Sequence, residues 1–143
     1  MSLLAVRVRL RIKLKNSSKS IELPVLVNGG AESLRPCLVV DETIAESLGV
    51  WPPEEAEVYT VEEASSTSSA YLLPDFVELE LLDEKGGVLS KITADLVIQI
   101  GLTEPLITDV TIDALGIQVV SFGKGLWRHK KDPENLVRSS TVH

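Results

Sequence analysis

Residues 25–33 read VLVNGGAES, and residues 37–40 read CLVV. An apolar strand runs into Asn28-Gly29-Gly30, turns, and gives way to a second apolar run. A turn of that composition between two short β-branched runs marks a sheet rather than a helix. Asp41 follows directly and is placed to cap a helix from Glu42 to Leu48, which Gly49 ends.

Upstream, Leu4, Val6, Val8, Leu10, Ile12 and Leu14 alternate with Arg7, Arg9, Arg11, Lys13 and Lys15. This period of two predicts a half-buried strand with a wet, basic face. Asn16-Ser17-Ser18 supplies turn chemistry, and Ile21 to Val27 forms the partner strand of a hairpin, with Pro24 at an edge or bulge. Downstream of Trp51-Pro52-Pro53, strands are expected at Glu57–Val61, Tyr71–Leu73, Val77–Leu82 and Leu89–Ile100. Glu84-Lys85-Gly86-Gly87 forms the turn between the last two. A second helix is expected from Asp109 to Leu115, stopped by Gly116, then strands at Ile117–Val120 and Leu126–His129. The fold class is all-β with two short helices.

A chain of 143 residues is the size of one domain, expected to bury roughly two-thirds of its unfolded surface. We expect a single domain with its core over about 6–128 and a C-terminal tail at 129–143. No apolar stretch approaches the roughly 20 residues of a membrane span, and charges from Arg7 onward leave no room for a signal-peptide core. One cysteine, Cys37, permits no intrachain disulfide. These features predict a cytoplasmic protein with no membrane contact. The net charge of −7 argues against general nucleic-acid affinity, although the Arg7, Arg9 and Arg11 stripe leaves a basic-faced binding module as an alternative.

The two halves echo each other. Strand, VNGGAES, strand and a helix ending in SLGV are followed later by EPLITDV and a helix ending in ALGI. With these elements in this order, the chain resembles the retropepsin-like aspartic proteases, most closely small prokaryotic members. Their motif is apolar-apolar-Asp-Thr/Ser-Gly-Ala, an apolar strand, and a helix ending in Leu-Gly. VLVNGGA, CLVV and IAESLGV occupy those places, and PLITDVTIDALGI stands for the second-half counterpart. The resemblance covers about Val6 to Arg128 and implies a closed retropepsin-like β-barrel, the acid protease fold.

It also implies a homodimer in which each chain contributes one carboxylate to a shared-proton dyad acting on an extended peptide. In this chain the aligned residue is Asn28, whose amide cannot share a proton in that way. Gly29 replaces the hydroxyl residue that ties the loops across the dimer, Gly30 keeps the motif as a tight turn would demand, and Thr108 replaces the second-half glycine. The expectation is therefore a catalytically silent domain, with no cofactor or metal, whose cleft holds a peptide or serves assembly alone.

Asp41 and Asp109 are the alternative acids for a residual peptidase, though both read better as helix N-caps. Asn28-Gly29 is also the dipeptide most prone to deamidation, which would restore an aspartate. Cys37 with His129 or His143 reads as a buried inert thiol near which nothing places either histidine, rather than as a nucleophile and base. Two histidines and one cysteine are too few for a zinc site, and no phosphate loop or dinucleotide fingerprint is present. EEASSTSSAY at 62–71 falls where the resemblance puts a flap, with an ordinary polar loop as the simpler reading. Trp127 reads as packed in a terminal strand, with a recognition surface as the alternative.

Overall fold

Alternation at the start of the chain does what a period of two requires. Strand β1 (Arg7–Leu14) buries Val8, Leu10 and Ile12 completely or nearly so. A computed structural model describes residues 5–62 and 67–141. These residues form a mostly β fold of ten strands and two short helices, as the patterning predicts.

The basic row of β1 departs from expectation. It is less open than that pattern suggests, with Arg7 buried and Arg9, Arg11 and Lys13 half-buried, and β1 has a paired strand on each side: β2 (Ser20–Val27) and β5 (Thr67–Leu82). Their register sets Arg11 opposite Glu22 on one side and Glu80 on the other. Arg11 meets Glu80 at 2.8 Å and Glu22 at 3.4 Å, while buried Arg7 meets Glu104 at 2.8 Å. Glu80, nearly buried, is held below the usual carboxylate range by the Arg11 hydrogen bond, with Lys13 adding to it. Cross-strand carboxylates thus absorb much of the charge that reads as a free stripe.

The pairings run β1, β2, β7 (Leu106–Ile107), β3 (Cys37–Val40), β6 (Val88–Gln99), β5, and β5 returns to pair with β1. Strand β4 (Glu57–Glu62) lies outside this circuit, as a hairpin partner of β5. Pro24 sits on the part of β2 that β7 does not reach, since β7 pairs only Leu26 and Val27. Strands β3 and β6 run parallel, as do β2 and β7, while β3 and β7 are antiparallel.

Two expected strands prove to be one. β5 is continuous over 16 residues, with an irregularity between Leu73 and Val77 where Pro74 and Asp75 interrupt the ladder. Asp75 takes a positive φ of 49°, and the Asp95 carboxylate accepts its N–H at 2.8 Å. Aspartate tolerates this conformation better than most residues, and the strand absorbs the break as a bulge.

Helix α1 (Glu42–Ser47) is capped by Asp41, whose Oδ1 accepts from Ile44 N at 2.9 Å. Helix α2 (Asp109–Leu115) has the expected span but not the expected cap: Thr108 is the N-cap and Asp109 is already in the first turn. Gly116, at φ 79°, ends it in the left-handed conformation.

A second sheet holds β8 (Ile117–Ser121), β9 (Leu126–His129) and β10 (Arg138–Ser139). The segment after Arg128 folds back onto the domain. Arg138 binds Asp132 and Glu84 at 2.8 and 2.9 Å and stands over the Trp127 ring, 5.8 Å from its centroid. Trp127 is 4% exposed and packs as a terminal-strand residue. Among the described residues, no helix is long and apolar enough to cross a membrane.

His129 is buried, its Nδ1 accepts from Lys131 N–H at 3.2 Å, and its Nε2 has no hydrogen-bond partner among the described residues. Burial pushes its pKa below the ordinary 6.5, against the pull of Asp132 and with Lys130 and Lys131 adding to the depression. The unfolded chain therefore takes up this proton first, and stability is full above pH 6.5 and falls as pH drops below it. Thermal melts should show a decline in midpoint from pH 7 toward about 5.5, before carboxylates titrate, that is flat in His129→Gln. Equal slopes in both proteins would sink this assignment.

Candidate functional site

Backbone hydrogen bonds fix the turn at 28–30 at the point where β2 and β7 end together. Asn28 N–H donates to the Ile107 carbonyl at 3.3 Å, and the Asn28 carbonyl accepts from Ala31 N–H at 3.1 Å. The side chain closes a second small ring, with Gly30 N–H donating to Asn28 Oδ1 at 3.1 Å. Asn28 is half-buried, and both glycines are exposed.

Gly30 is not held by its backbone conformation, contrary to expectation. Neither it nor Gly29 is among the residues with positive φ. A Cβ on Gly29 would meet only Phe122 at 3.8 Å, and one on Gly30 only Asn28 Oδ1 at 3.5 Å, both ordinary contacts. Among the described residues nothing requires either glycine.

Beyond the turn, the chain is sewn to the start of α2. Ala31 carbonyl accepts from Asp109 N at 2.9 Å, and Ser33 N–H donates to Asp109 Oδ1 at 3.4 Å. A chain of hydroxyls then runs inward: Ser33 Oγ to Thr108 Oγ1 at 2.6 Å, and Thr108 Oγ1 to Thr111 Oγ1 at 2.8 Å. Thr111 Oγ1 accepts from Cys37 N at 2.7 Å and donates to the Cys37 carbonyl at 3.1 Å. Thr108 and Thr111 are buried, so every link satisfies a group that water cannot reach.

The segment following the turn forms one wall of a groove of about 440 Å³. Ser33, Leu34 and Arg35 line it together with Cys37 and Val39 of β3, Val97 of β6, Ala70 and Leu72 of β5 and Val61 of β4. The lining is largely aliphatic, with a polar end where Arg35 meets Asp95 at 2.8 Å. Both strands of the β4–β5 hairpin contribute, and the Glu63–Ser66 part of the expected flap lies outside the described residues. The volume and the mix of apolar surface with a few polar groups fit a small-molecule or peptide-side-chain site. A hollow of about 530 Å³ near the C-terminal segment is a weaker candidate, since Arg7 and Arg138 in its lining already bind carboxylates.

The remaining sequence candidates are committed elsewhere. Asp41 Oδ1 caps α1, and Asp109 Oδ1 accepts from Ser33 N and from Val110 N at 2.7 Å. Neither is a free acid at the turn. Burial, with Asp95 nearby, pushes the Cys37 thiol up to about 12, so it stays protonated and unreactive. His129 sits in the other sheet with Nδ1 occupied, and His143 lies outside the described residues. No group of three or more metal-ligating side chains occurs among the described residues.

The Ser33–Thr108–Thr111 chain and the Arg35–Asp95 pair escaped the sequence reading. Thr108 and Thr111 carry a faint signal, being three apart at a helix start, where their side chains share a face. Ser33 and Thr108 are 75 positions apart, and nothing local announces that contact. Leu34 is 100% exposed and Phe122, beside Gly29, is 52% exposed, so apolar surface flanks the turn. Comparison with protein-family models and with curated proteins finds no match.

Proposed function

We propose that this chain is a retropepsin-like domain that keeps the backbone of an aspartic-protease turn without its acid, and that its groove holds an extended, apolar-sided peptide. The observation that carries the reading is the arrangement around Asn28. Strands β2 and β7 run parallel and end together at Val27 and Ile107, and the turn leaves from that point beside a groove lined in part by the β4–β5 hairpin. The circuit of pairings from β1 through β7, β3, β6 and β5 back to β1 supports a closed barrel of that kind.

Two copies pair through the turn in this reading. Exposed Leu34 and Phe122 flank it, and the unneeded glycines leave room for a partner backbone. The amide of Asn28 presents a donor and an acceptor but cannot exchange a proton at neutral pH, so a paired site would bind without hydrolysing. Of the Arg7, Arg9 and Arg11 set on which the basic-module alternative rests, Arg7 and Arg11 are engaged by Glu104, Glu80 and Glu22, which weighs against it.

Digestion of a peptide library between about pH 4 and 7 tests the silent-site reading. Freshly prepared wild type and Asn28→Ala should both leave the library intact, and the pair of changes Asn28→Asp and Gly29→Thr should introduce cleavage. Equal cleavage by wild type and Asn28→Ala would overturn it. Sedimentation should give twice the chain mass for wild type and the single chain mass for Phe122→Asp.

A further inference from the structure

The turn carries a chemical capability separate from any dyad. We propose that Asn28 is a self-modification site, at which the folded chain converts its own amide into a carboxylate.

Three features of the turn meet on this residue. The electrophile is the Asn28 side-chain carbonyl, polarised by the Gly30 N–H at 3.1 Å, which also faces the negative charge that develops on Oδ1 when the carbonyl is attacked. The nucleophile is the Gly29 backbone nitrogen. Among the described residues nothing accepts a hydrogen bond from it, so its proton is free to be taken by base. Gly29 carries no side chain to hinder the approach, and both glycines are exposed to water.

The steps balance without a redox partner. Gly29 N bonds to Asn28 Cγ, the Cγ–Nδ2 bond breaks, and Nδ2 departs as ammonia with the proton from Gly29. Water then adds to a carbonyl of the five-membered imide and opens it, leaving an aspartyl or isoaspartyl residue at position 28. The fold favours the aspartyl outcome. Asn28 N–H is held by Ile107 and its carbonyl by Ala31, a geometry that the extra backbone carbon of an isoaspartyl link would break. A new carboxylate at Oδ1 would keep the Gly30 N–H, now as a stronger, charge-assisted bond.

The chain offers its own comparator. Its other asparagines are Asn16, followed by Ser17, and Asn135, followed by Leu136, both exposed and neither followed by glycine. If the function proposed above holds, on which this consequence rests, the modification restores the acid at position 28 in chains whose turn is not yet paired, while the hydroxyl that Gly29 lacks stays missing.

Peptide mapping of the folded full-length chain, aged at mildly alkaline pH in ordinary and in heavy-oxygen water, tests the proposal. A one-dalton gain is expected on the Asn28 peptide, rising to three daltons in heavy-oxygen water, at least about tenfold faster than at Asn16. Gly29→Ala, whose Cβ would make only an ordinary contact with Phe122 at 3.8 Å, should slow it by a similar factor. Gain at Asn28 only after unfolding in urea, or no gain at all, would overturn the proposal. The peptide-library assay on the Asn28→Asp, Gly29→Thr pair reads the functional premise separately. Modification of the wild type with no cleavage by that pair leaves the site standing and counts against the protease-like reading alone.

Discussion

Leu38→Ala is expected to lower the free energy of unfolding by roughly 2–5 kcal/mol, the largest loss among the single changes considered. Leu38 is completely buried at the centre of β3, opposite Leu96 of β6 and Ile107 of β7, both also at 0% exposure. These neighbours are pinned by ladders on two sides, so they cannot move in to fill the space, and the cost falls toward the upper end of that range. The damage should reach the turn as well. Strand β7 is two residues long and is held by β2 and β3, and its Ile107 carbonyl is what anchors Asn28 N–H. Urea titrations of wild type, Leu38→Ala and the exposed control Glu46→Ala measure this, the control staying within about 0.5 kcal/mol of wild type. A cost under about 1 kcal/mol for Leu38→Ala would show that the three-strand junction is not a packed unit.

Thr111→Val should follow closely, because the change keeps the shape and removes the hydroxyl. That hydroxyl satisfies both the N–H and the carbonyl of Cys37 and receives the end of the Ser33–Thr108 chain. Each buried polar group left without a partner costs roughly 1–3 kcal/mol, so the sum is expected near 2–4 kcal/mol. Amide exchange distinguishes this from simple loosening. The Cys37 N–H should lose protection more than the amides of β6 paired beside it, and Thr111→Ser should recover most of the stability by restoring the hydroxyl. Full protection at Cys37 in Thr111→Val would mean that another group, or water, takes over the bond.

Much of the fold was legible because it rests on local chemistry. The alternation in β1, the CLVV run of β3, the Asp41 cap and the glycines that end both helices each declare themselves within a few residues. Strands β7 and β10 did not, since two residues carry no period, and they exist only because a neighbouring edge is present to pair with. The break at Pro74-Asp75 reads locally as the end of a strand. The Asp95 carboxylate, 20 positions away, holds Asp75 N–H and lets β5 continue.

The same division runs through the site. Local sequence determined that a turn would fall at Asn28-Gly29-Gly30, that an asparagine would stand there, and that it would be followed by the one residue offering no obstruction to its own backbone. Tertiary structure decided the rest. It paired the basic stripe with Glu22, Glu80 and Glu104, moved the α2 cap from Asp109 to Thr108, and set Ser33 against a threonine 75 residues on. Propensity and capping act over a turn or two of chain, whereas a charge or hydroxyl is neutralised by whatever the sheet register brings opposite it, and register is a property of the assembled strands.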